Sequence, residues 1–166
     1  VAETVARAAP GAEVRVKWPN DVLANGRKVS GILLETVLPT GGGAVVVGVG
    51  INIASYPEET RYGATCVDEL IGGSMPLEGV RALYLSGLAR WYDIWSARGF
   101  EEVRATWLEK AHGLGREVFV ENGEALDIRG RFTGVADDGR MVIETTDGAL
   151  ELISTGTLSF LEGEGG

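Results

Sequence analysis

Cysteine and histidine are almost absent from this sequence of 166 residues, which contains one of each, Cys66 and His112. One cysteine cannot form a disulfide within the chain, so the composition favours a reducing, cytoplasmic compartment. Protein zinc sites are built mainly from clustered cysteines and histidines, so these two residues predict no metal site. We expect Cys66 to be buried as a small apolar side chain and His112 to cap a helix end.

Positive charge and long apolar runs are also scarce. The formal net charge is −9, whereas non-specific nucleic-acid binding and docking on anionic membranes both require a basic surface, so neither is expected. No apolar run is long enough for a transmembrane helix, and the N-terminus has no signal-peptide pattern. The chain starts at Val1 within residues that are typical of the last turns of a helix. We therefore interpret it as the later part of a longer protein.

Hydrophobic periodicity over residues 1–113 predicts an α/β (α+β) domain, in which a mixed sheet is backed by helices. The uninterrupted apolar residues at 44–47 predict a strand that helices cover on at least one face. Strands are expected at 13–17, 29–38 and 44–53, with a turn at 39–43. Helices are expected at 2–9, 65–71, 76–98 and 100–112. The longest helix is expected to bury one face, which carries Val80, Leu83, Tyr84, Leu88, Trp91, Tyr92 and Trp95.

Composition changes at Gly113-Leu114-Gly115, and residues 114–166 predict a separate small β-barrel. From there on, the sequence consists of short segments in which apolar and polar residues alternate, separated by turn signals such as Asn122-Gly123 and Asp147-Gly148. The residues at 162–166 are expected to be frayed. Strands are expected at 117–121, 125–136, 140–146 and 149–154.

A tight hairpin is predicted around Asn25-Gly26, the pair preferred in two-residue turns. Folding on this turn places Leu23 opposite Lys28 and Asp21 opposite Ser30. Lys28 and Asp21 then lie diagonally on one face of the hairpin. A lysine held by an aspartate at the end of a short strand is suited to fixing a cation against a phosphate or a carboxylate.

Three motifs follow one another along the first part of the chain. They are Lys17-Trp18-Pro19-Asn20-Asp21, then Arg27-Lys28-Val29-Ser30-Gly31-Ile32-Leu33-Leu34-Glu35, then Val47-Gly48-Val49-Gly50-Ile51-Asn52-Ile53. Each motif is weak alone, but in this order and spacing they resemble the catalytic domain of biotin–protein ligases. The resemblance implies a partial class II synthetase-like ligase fold over residues 1–113, followed by an SH3-like barrel over residues 114–166.

The resemblance also implies an activity, that of an ATP-dependent biotin–[carboxylase] ligase. Such enzymes use ATP and Mg²⁺ to convert biotin into biotinyl-AMP. They then transfer biotin to a lysine of an acceptor, either the biotin carboxyl carrier protein or another carboxylase subunit. The first step brings a carboxylate against a phosphate, so charge neutralisation and positioning dominate its catalysis. Homodimerisation is left open.

By the resemblance, Lys28 is the catalytic lysine that contacts the biotin carboxylate and the adenylate phosphate; the alternative is a solvated hairpin lysine. Asp21 either holds Lys28, pairs only structurally or helps with a metal. Lys17 either contacts a ligand or packs in its loop, and Trp18 is either an adenine or ribose wall or part of a loop core. Asn20 either contacts ATP or caps a local turn.

Glycines supply most of the remaining candidates. Gly31 permits a close backbone approach, with its amide suited to the biotin carbonyl, and Ile32 belongs to the same binding set; the alternative at Gly31 is a simple bulge. Gly48 and Gly50 suit a backbone that passes near a nucleotide, and Asn52 is expected to donate to a phosphate or a ribose. The third glycine and the strand-to-helix setting of a dinucleotide fingerprint are missing here.

Two alternatives to a biotin ligase stay open. A lipoate-type ligase shares the fold and the adenylation chemistry, although the KWPND text favours biotin. A non-catalytic, ligase-like binding module is the other, and the joint presence of Lys17, Asp21, Lys28 and Asn52 argues against it. The glycine- and arginine-rich adenylate loop of the family has no counterpart in this sequence. We therefore expect this chain to contain about half of the active site.

Overall fold

The computed structural model describes residues 1–37, 43–58, 63–121 and 127–160. Its helices are α1 (Ala2–Ala8), α2 (Val67–Ile71), α3 (Leu77–Arg98) and α4 (Phe100–Glu109). None of the helices in these ranges is long and apolar enough to cross a membrane. Its strands are β1 (Val14–Lys17), β2 (Asp21–Ala24), β3 (Arg27–Val37), β4 (Ala44–Ile51), β5 (Glu117–Glu121), β6 (Ile128–Val135), β7 (Met141–Glu144), β8 (Leu150–Ile153) and β9 (Thr157–Phe160). Most of the turn expected at 39–43, the Asn122-Gly123 turn and the end at 162–166 lie outside the described residues.

The chain divides into two compact units. The first comprises Val1–Val16 and Asn20–Asp93, and the second comprises Lys17–Pro19 and Ile94–Gly166. This division does not coincide with the boundary expected between residues 113 and 114. Trp107 and Leu108 of α4 pack against the core of the second unit, so this helix groups with the later strands.

The first unit contains a four-stranded sheet in the order β1-β2-β3-β4. The β2/β3 and β3/β4 pairs are antiparallel, so the expected mixed sheet is wrong for these pairs. An isolated parallel bridge joins Lys28 to Ala64. The chain is therefore a mixed α+β protein, and its antiparallel pairs do not need the crossover connections of parallel strands.

Helix α1 covers one end of this sheet, which confirms that helices back it. Val5 of α1 is fully buried together with Val22 and Ala24 of β2 and Val29 of β3. Leu70 of α2 packs against the same cluster. The core of the first unit therefore lies beside the β2–β3 hairpin, next to the residues of the predicted site.

Helix α3 buries a narrower face than the sequence predicted. Its buried residues are Val80 and Gly87, and a Cβ at Gly87 would lie 3.9 Å from the hydroxyl oxygen of Thr4 in α1. Three predicted core positions, Leu88, Tyr92 and Trp95, are 48%, 59% and 50% exposed, so the prediction is wrong for them. They lie to one side of the buried face, which periodicity alone did not separate from its neighbours. Leu83, Tyr84 and Trp91 are half-buried on the predicted face.

The second half of β3 and most of β4 are exposed. Leu34 is 63% exposed and Val45 is 60% exposed, although the β3/β4 ladder is regular from Ser30 to Val37. The expectation that helices cover the apolar residues at 44–47 is therefore wrong for the described part of the chain. The reason is that α1 packs on the other end of the sheet, against the β2–β3 hairpin.

The second unit contains a separate, antiparallel, five-stranded sheet in the order β8-β7-β6-β5-β9. Its core includes the fully buried Phe132, Met141 and Ile143. Within the described part of the chain, the outer strands β8 and β9 do not pair to close a barrel. Strand β9 was not predicted from the sequence.

The two rare residues of the sequence have different outcomes. Cys66 is buried, as expected. Helix α4 ends at Glu109 with Lys110 as its cap residue, and His112 lies two residues further on. The imidazole packs edge-on against the ring of Phe160, with 4.8 Å between the ring centroids, and its role as a helix cap stays a prediction.

Candidate functional site

The site begins with the β2–β3 hairpin. Asn25 and Gly26 have positive φ values of 50° and 77°, as a primed two-residue turn requires. The predicted pairing holds next to the turn, where Leu23 lies opposite Lys28. A bulge between Val22 and Leu23 then shifts the register, so Asp21 lies opposite Gly31 and not opposite Ser30 as predicted.

Lys28 and Asp21 form the predicted pair in spite of this bulge. The Lys28 ammonium lies 2.5 Å from Oδ1 of Asp21, with the two side chains 41% and 20% exposed. Gly31 lies against the pair: a Cβ there would be in van der Waals contact with it, 3.4 Å from Nζ of Lys28 and 3.5 Å from Oδ1 of Asp21. The hairpin therefore presents a positioned ammonium to solvent beside bare backbone.

An open groove with a cavity volume of about 530 Å³ lies over this pair. Its floor includes the β3/β4 pair in which Gly31 lies opposite Gly50 and Leu33 opposite Gly48. Glycines on both strands leave main-chain atoms accessible where side chains would otherwise stand. The groove is lined by Asn20, Asp21, Lys28, Gly31, Ile32, Leu33, Gly48, Val49 and Gly50.

Seven of the ten predicted site residues line this groove, namely Asn20, Asp21, Lys28, Gly31, Ile32, Gly48 and Gly50. Asn20 is fixed there by two hydrogen bonds with Ile32. Its side-chain amide donates to the Ile32 carbonyl (2.7 Å), and the Ile32 N–H donates to the Asn20 carbonyl (2.9 Å). Sequence reasoning missed Leu33 and Val49, although both are neighbours of predicted glycines.

Asn52 does not line the groove. Its side-chain amide donates to two main-chain carbonyls, that of Thr65 at 3.0 Å and that of Lys28 at 3.5 Å. Its own N–H donates to the carbonyl of Val29 at 2.9 Å. The structure therefore gives Asn52 a place in holding the backbone around Lys28, and its contact with a nucleotide stays a prediction.

Lys17 and Trp18 belong to the second unit. Trp18 is 5% exposed and is part of the cluster that contains Val118, Phe132 and Ile143, as the loop-core alternative predicts. Lys17 is 6% exposed, and its ammonium lies 6.0 Å from the centroid of the Phe160 ring. The KWPND motif is thus divided, with its last two residues in the groove and its first three in the other unit.

A second cluster in the first unit surrounds Glu69, a residue that sequence reasoning did not place near the hairpin. Its carboxylate pairs with the Arg27 guanidinium at 2.8 Å and accepts from the Thr65 hydroxyl at 3.3 Å. The hydrogen bond from Arg27 lowers the pKa of Glu69 most, followed by the one from Tyr56. The same carboxylate raises the pKa of Tyr56.

No group of three metal-ligating side chains occurs in the described ranges 1–37, 43–58, 63–121 and 127–160. The side-chain oxygen donors among the groove residues are the Asp21 carboxylate and the Asn20 amide. Mg²⁺ in nucleotide sites commonly takes one or two carboxylates together with phosphate oxygens and water. This donor set suits a magnesium ion that arrives with a nucleotide, and it does not suit a protein-only metal centre.

Two family models match the chain. The model described as the biotin/lipoate A/B protein ligase family matches residues 1–52, and the model described as the biotin protein ligase C terminal domain matches residues 113–161. The first match contains the β2–β3 hairpin and all the residues that line the groove. The second contains all the strands of the five-stranded sheet.

Curated relatives are named as ligases. The chain is 37% identical over 143 residues to the biotin–[acetyl-CoA-carboxylase] ligase of Paracoccus denitrificans, a match that covers 81% of this chain and 58% of the relative. It is 30% identical to the bifunctional ligase/repressor BirA of Bacillus subtilis, over 88% of this chain and 46% of that protein. The chain thus spans about half the length of these relatives.

Solved structures agree with the sequence matches. The crystal structure of biotin protein ligase from Aquifex aeolicus has a TM-score of 0.80 at 28% identity, covering 96% of this chain and 69% of that one. The structure of the same enzyme in complex with biotin and ATP has a TM-score of 0.79, also at 28% identity, covering 96% and 66%. With a family model on each part, named relatives and this shared fold, the chain belongs to the biotin–protein ligase family.

Proposed function

We propose that the protein containing this chain is an ATP-dependent biotin–[carboxylase] ligase. In the first step a biotin carboxylate oxygen attacks the α-phosphate of ATP, pyrophosphate leaves, and biotinyl-AMP forms. In the second step the amine of an acceptor lysine attacks the biotinyl carbonyl, and AMP leaves. The observation that carries the proposal is the Lys28–Asp21 pair in a glycine-walled groove, on a chain whose relatives are named as biotin ligases.

Lys28 is the proposed catalytic residue. Two anionic groups repel each other as the carboxylate approaches the α-phosphate, and a fixed ammonium between them stabilises the charge that develops in the transition state. Asp21 keeps the ammonium in one place at 2.5 Å, so little reorganisation is needed when substrate binds. Lysine suits this role because its compact charge can contact both anions.

Bare backbone is the proposed means of binding the two substrates. Gly31 and Ile32 present main-chain groups beside Lys28, where the biotin carboxyl end would lie. Gly48 and Gly50 on β4 leave space for the nucleotide. Mg²⁺ is proposed to accompany ATP, with Asn20 and Asp21 supplying oxygen ligands, and it would neutralise phosphate charge when bound.

Three predicted binding residues lie outside the groove. For Trp18, burial in the second unit favours the loop-core alternative over an adenine wall. Lys17 and Asn52 stay in the proposal as candidates for nucleotide contact, although the described contacts of Asn52 are with main-chain carbonyls.

Residues 114–166 are proposed to form the SH3-like module of the family, and residues 1–113 the catalytic portion that precedes it. The separate antiparallel sheet of the later residues and their match to the C-terminal domain model support this assignment. The proposed partner is a biotin-accepting carboxylase subunit such as the biotin carboxyl carrier protein. The proposed location is the cytoplasm, where a buried single cysteine stays reduced.

Adenylation of biotin tests this function. The complete gene product is expected to catalyse biotin-dependent exchange of pyrophosphate into ATP, with lipoate as a poorer substrate, and this chain is assayed beside it. Equal or faster adenylation of lipoate would overturn the biotin assignment. Failure of the complete product to adenylate either acid would overturn ligase function and favour the binding-module alternative.

A further inference from the structure

The backbone of Lys28 is held from outside its own sheet. Its N–H donates to the carbonyl of Gly63 at 3.1 Å, and its carbonyl accepts from the N–H of Thr65 at 3.0 Å. These two bonds form the isolated parallel bridge between Lys28 and Ala64. Both main-chain groups of the lysine are therefore fixed by a segment that lies 35 or more residues later in the sequence.

Glu69 closes this arrangement from the side. It pairs with Arg27, the residue directly before Lys28, and it accepts from the hydroxyl of Thr65, the residue bonded to the Lys28 carbonyl. Arg27 also donates to the carbonyl of Ala64 at 3.4 Å. One carboxylate thus ties together the strand that carries Lys28 and the segment that brackets it.

The pKa of Glu69 is lowered, so its carboxylate is charged near neutral pH. The hydrogen bond from Arg27 is the main cause of the lowered pKa of Glu69. Tyr56 donates to the same carboxylate from a third segment of the chain. Thr65 is fully buried, so its position is set by packing as well as by Glu69.

We propose that Glu69 is a positioning residue for Lys28, acting through Arg27 and Thr65 on the backbone from which the lysine extends. This inference rests on the proposed function, because it assigns Lys28 a task that requires a fixed location. Asp21 holds the ammonium end of the side chain, and the Glu69 cluster holds its Cα end. Fixing both ends leaves the long methylene chain little freedom, which is what a preorganised charge requires.

Glu69 is expected to affect the position of the Lys28 backbone more than the stability of the fold. The side chains of Arg27 and Glu69 are 40% and 39% exposed, and exposed ion pairs contribute little to stability. Losing the carboxylate therefore leaves the hairpin folded but lets the segment at 63–65 move relative to Lys28.

Glu69→Gln is the test variant, and Glu13→Gln is its matched control. Glu13 also forms an exposed ion pair at 2.8 Å, with Arg15 on β1, but it has no described bond to Lys28 or to the residues at 63–65. Thermal melting verifies that both variants are folded, and Glu69→Asp provides a second variant that keeps the charge on a shorter side chain. A return toward wild-type behaviour in Glu69→Asp supports a role for the carboxylate itself.

The first readout is the rate at which an amine-reactive acetylating reagent labels Lys28 in this chain, measured by mass spectrometry. Lys110 in the second unit serves as the internal reference. We expect Glu69→Gln to change the Lys28/Lys110 labelling ratio about threefold or more, because contacting residues are energetically coupled. Glu13→Gln should leave the ratio unchanged. An unchanged ratio in Glu69→Gln would overturn the proposal whether or not the protein adenylates biotin.

The second readout is biotinyl-AMP formation by the complete gene product. We expect Glu69→Gln to lower kcat about tenfold with little change in the KM for biotin, since small misplacements of a catalytic group are costly. In a Lys28→Ala background the same substitution should cause no further loss. An additive loss would show a merely structural role and overturn the proposal. A changed labelling ratio in a protein without adenylation would instead support the positioning and refute the proposed function.

Discussion

Lys28 differs from an ordinary surface lysine in how completely its surroundings fix it. Asp21 contacts its ammonium, Gly31 lies beside its last carbon, and the residues at 63–65 bond its main chain. A flexible lysine would have to lose side-chain entropy when substrate binds. Here much of that ordering is complete before the substrate arrives.

Lys28→Ala is therefore expected to cut biotinyl-AMP formation strongly while leaving the fold intact. Removing one preorganised charge typically costs on the order of 3 kcal/mol in the transition state, or about a hundredfold in rate. Stability should barely change, because a partly exposed ion pair contributes only about 0–1 kcal/mol. Single-turnover kinetics measures the first effect, and urea denaturation measures the second.

Two controls define the outcome for Lys28. Lys110→Ala removes an exposed lysine of the second unit and should leave adenylation unchanged. Lys28→Arg should restore part of the rate at best, because the guanidinium is planar and carries its charge differently. Near-normal adenylation by Lys28→Ala would identify Lys28 as a hairpin lysine only, and Lys17 would become the candidate.

At the scale of elements, the sequence predicted features whose cause is local. The β2–β3 hairpin follows from Asn25-Gly26, whose backbone preference needs no tertiary contact. The bulge beside Val22 was not predictable, because it depends on how β2 pairs with β3 under the packing of α1. Strand β9 was missed because its four residues form a strand only by pairing with β5, some forty residues earlier.

Non-local packing also explains the largest error about the site. Trp18 follows a strand of the first unit, and nothing in the adjacent sequence indicates that its partners lie about a hundred residues later. The glycines of the groove were predictable because they are part of the sequence motifs. Glu69 was not, since only the fold brings it to Arg27.

Trp18→Ala should destabilise the second unit. A buried aromatic replaced by alanine typically costs about 3–5 kcal/mol of unfolding free energy, through lost transfer energy and the cavity left behind. Trp95→Ala, at a side chain that is 50% exposed, should cost clearly less. Chemical denaturation of both variants measures the difference. Equal stability of the two would contradict a core role for Trp18 and return it to the candidates for nucleotide contact.

Gly130→Ala should also weaken the second unit. On β6, a Cβ at this position would lie 2.3 Å from the Glu144 carbonyl oxygen and 2.7 Å from a methyl carbon of Ile143, so the β6/β7 pair would have to move apart. Overpacking of this kind typically costs about 1–3 kcal/mol. Gly134→Ala on the same strand is the control, since nothing lies within 4 Å of its Cβ position. Thermal melts that rank the two variants alike would contradict this contact.

At the scale of the whole molecule, acid should destabilise both units. The pKa values of Glu3 and Glu69 in the first unit, and of Asp138 and Asp147 in the second, are all lowered by hydrogen bonds. A carboxyl whose pKa is lower in the folded state stabilises that state above its ordinary value, about 4, and loses this contribution as the pH falls through the folded value. The net charge of −9 also becomes less negative on acidification, so the salt concentration should be held near 0.15 M to screen this change.

Glu3 provides the sharpest form of this prediction. The hydrogen bond from Arg90 of α3 is the largest cause of its lowered pKa, and Trp91 donates to the same carboxylate. Melting temperatures measured from pH 7 to pH 3 should therefore fall less steeply below about pH 4.5 in Glu3→Gln than in the wild type, because the titrating group is gone. Arg90→Gln should flatten the same part of the curve, since it removes the cause of the shift, and the double variant should be no flatter than Glu3→Gln. A Glu3→Gln curve parallel to that of the wild type would show that the contact between α1 and α3 does not depend on this charge.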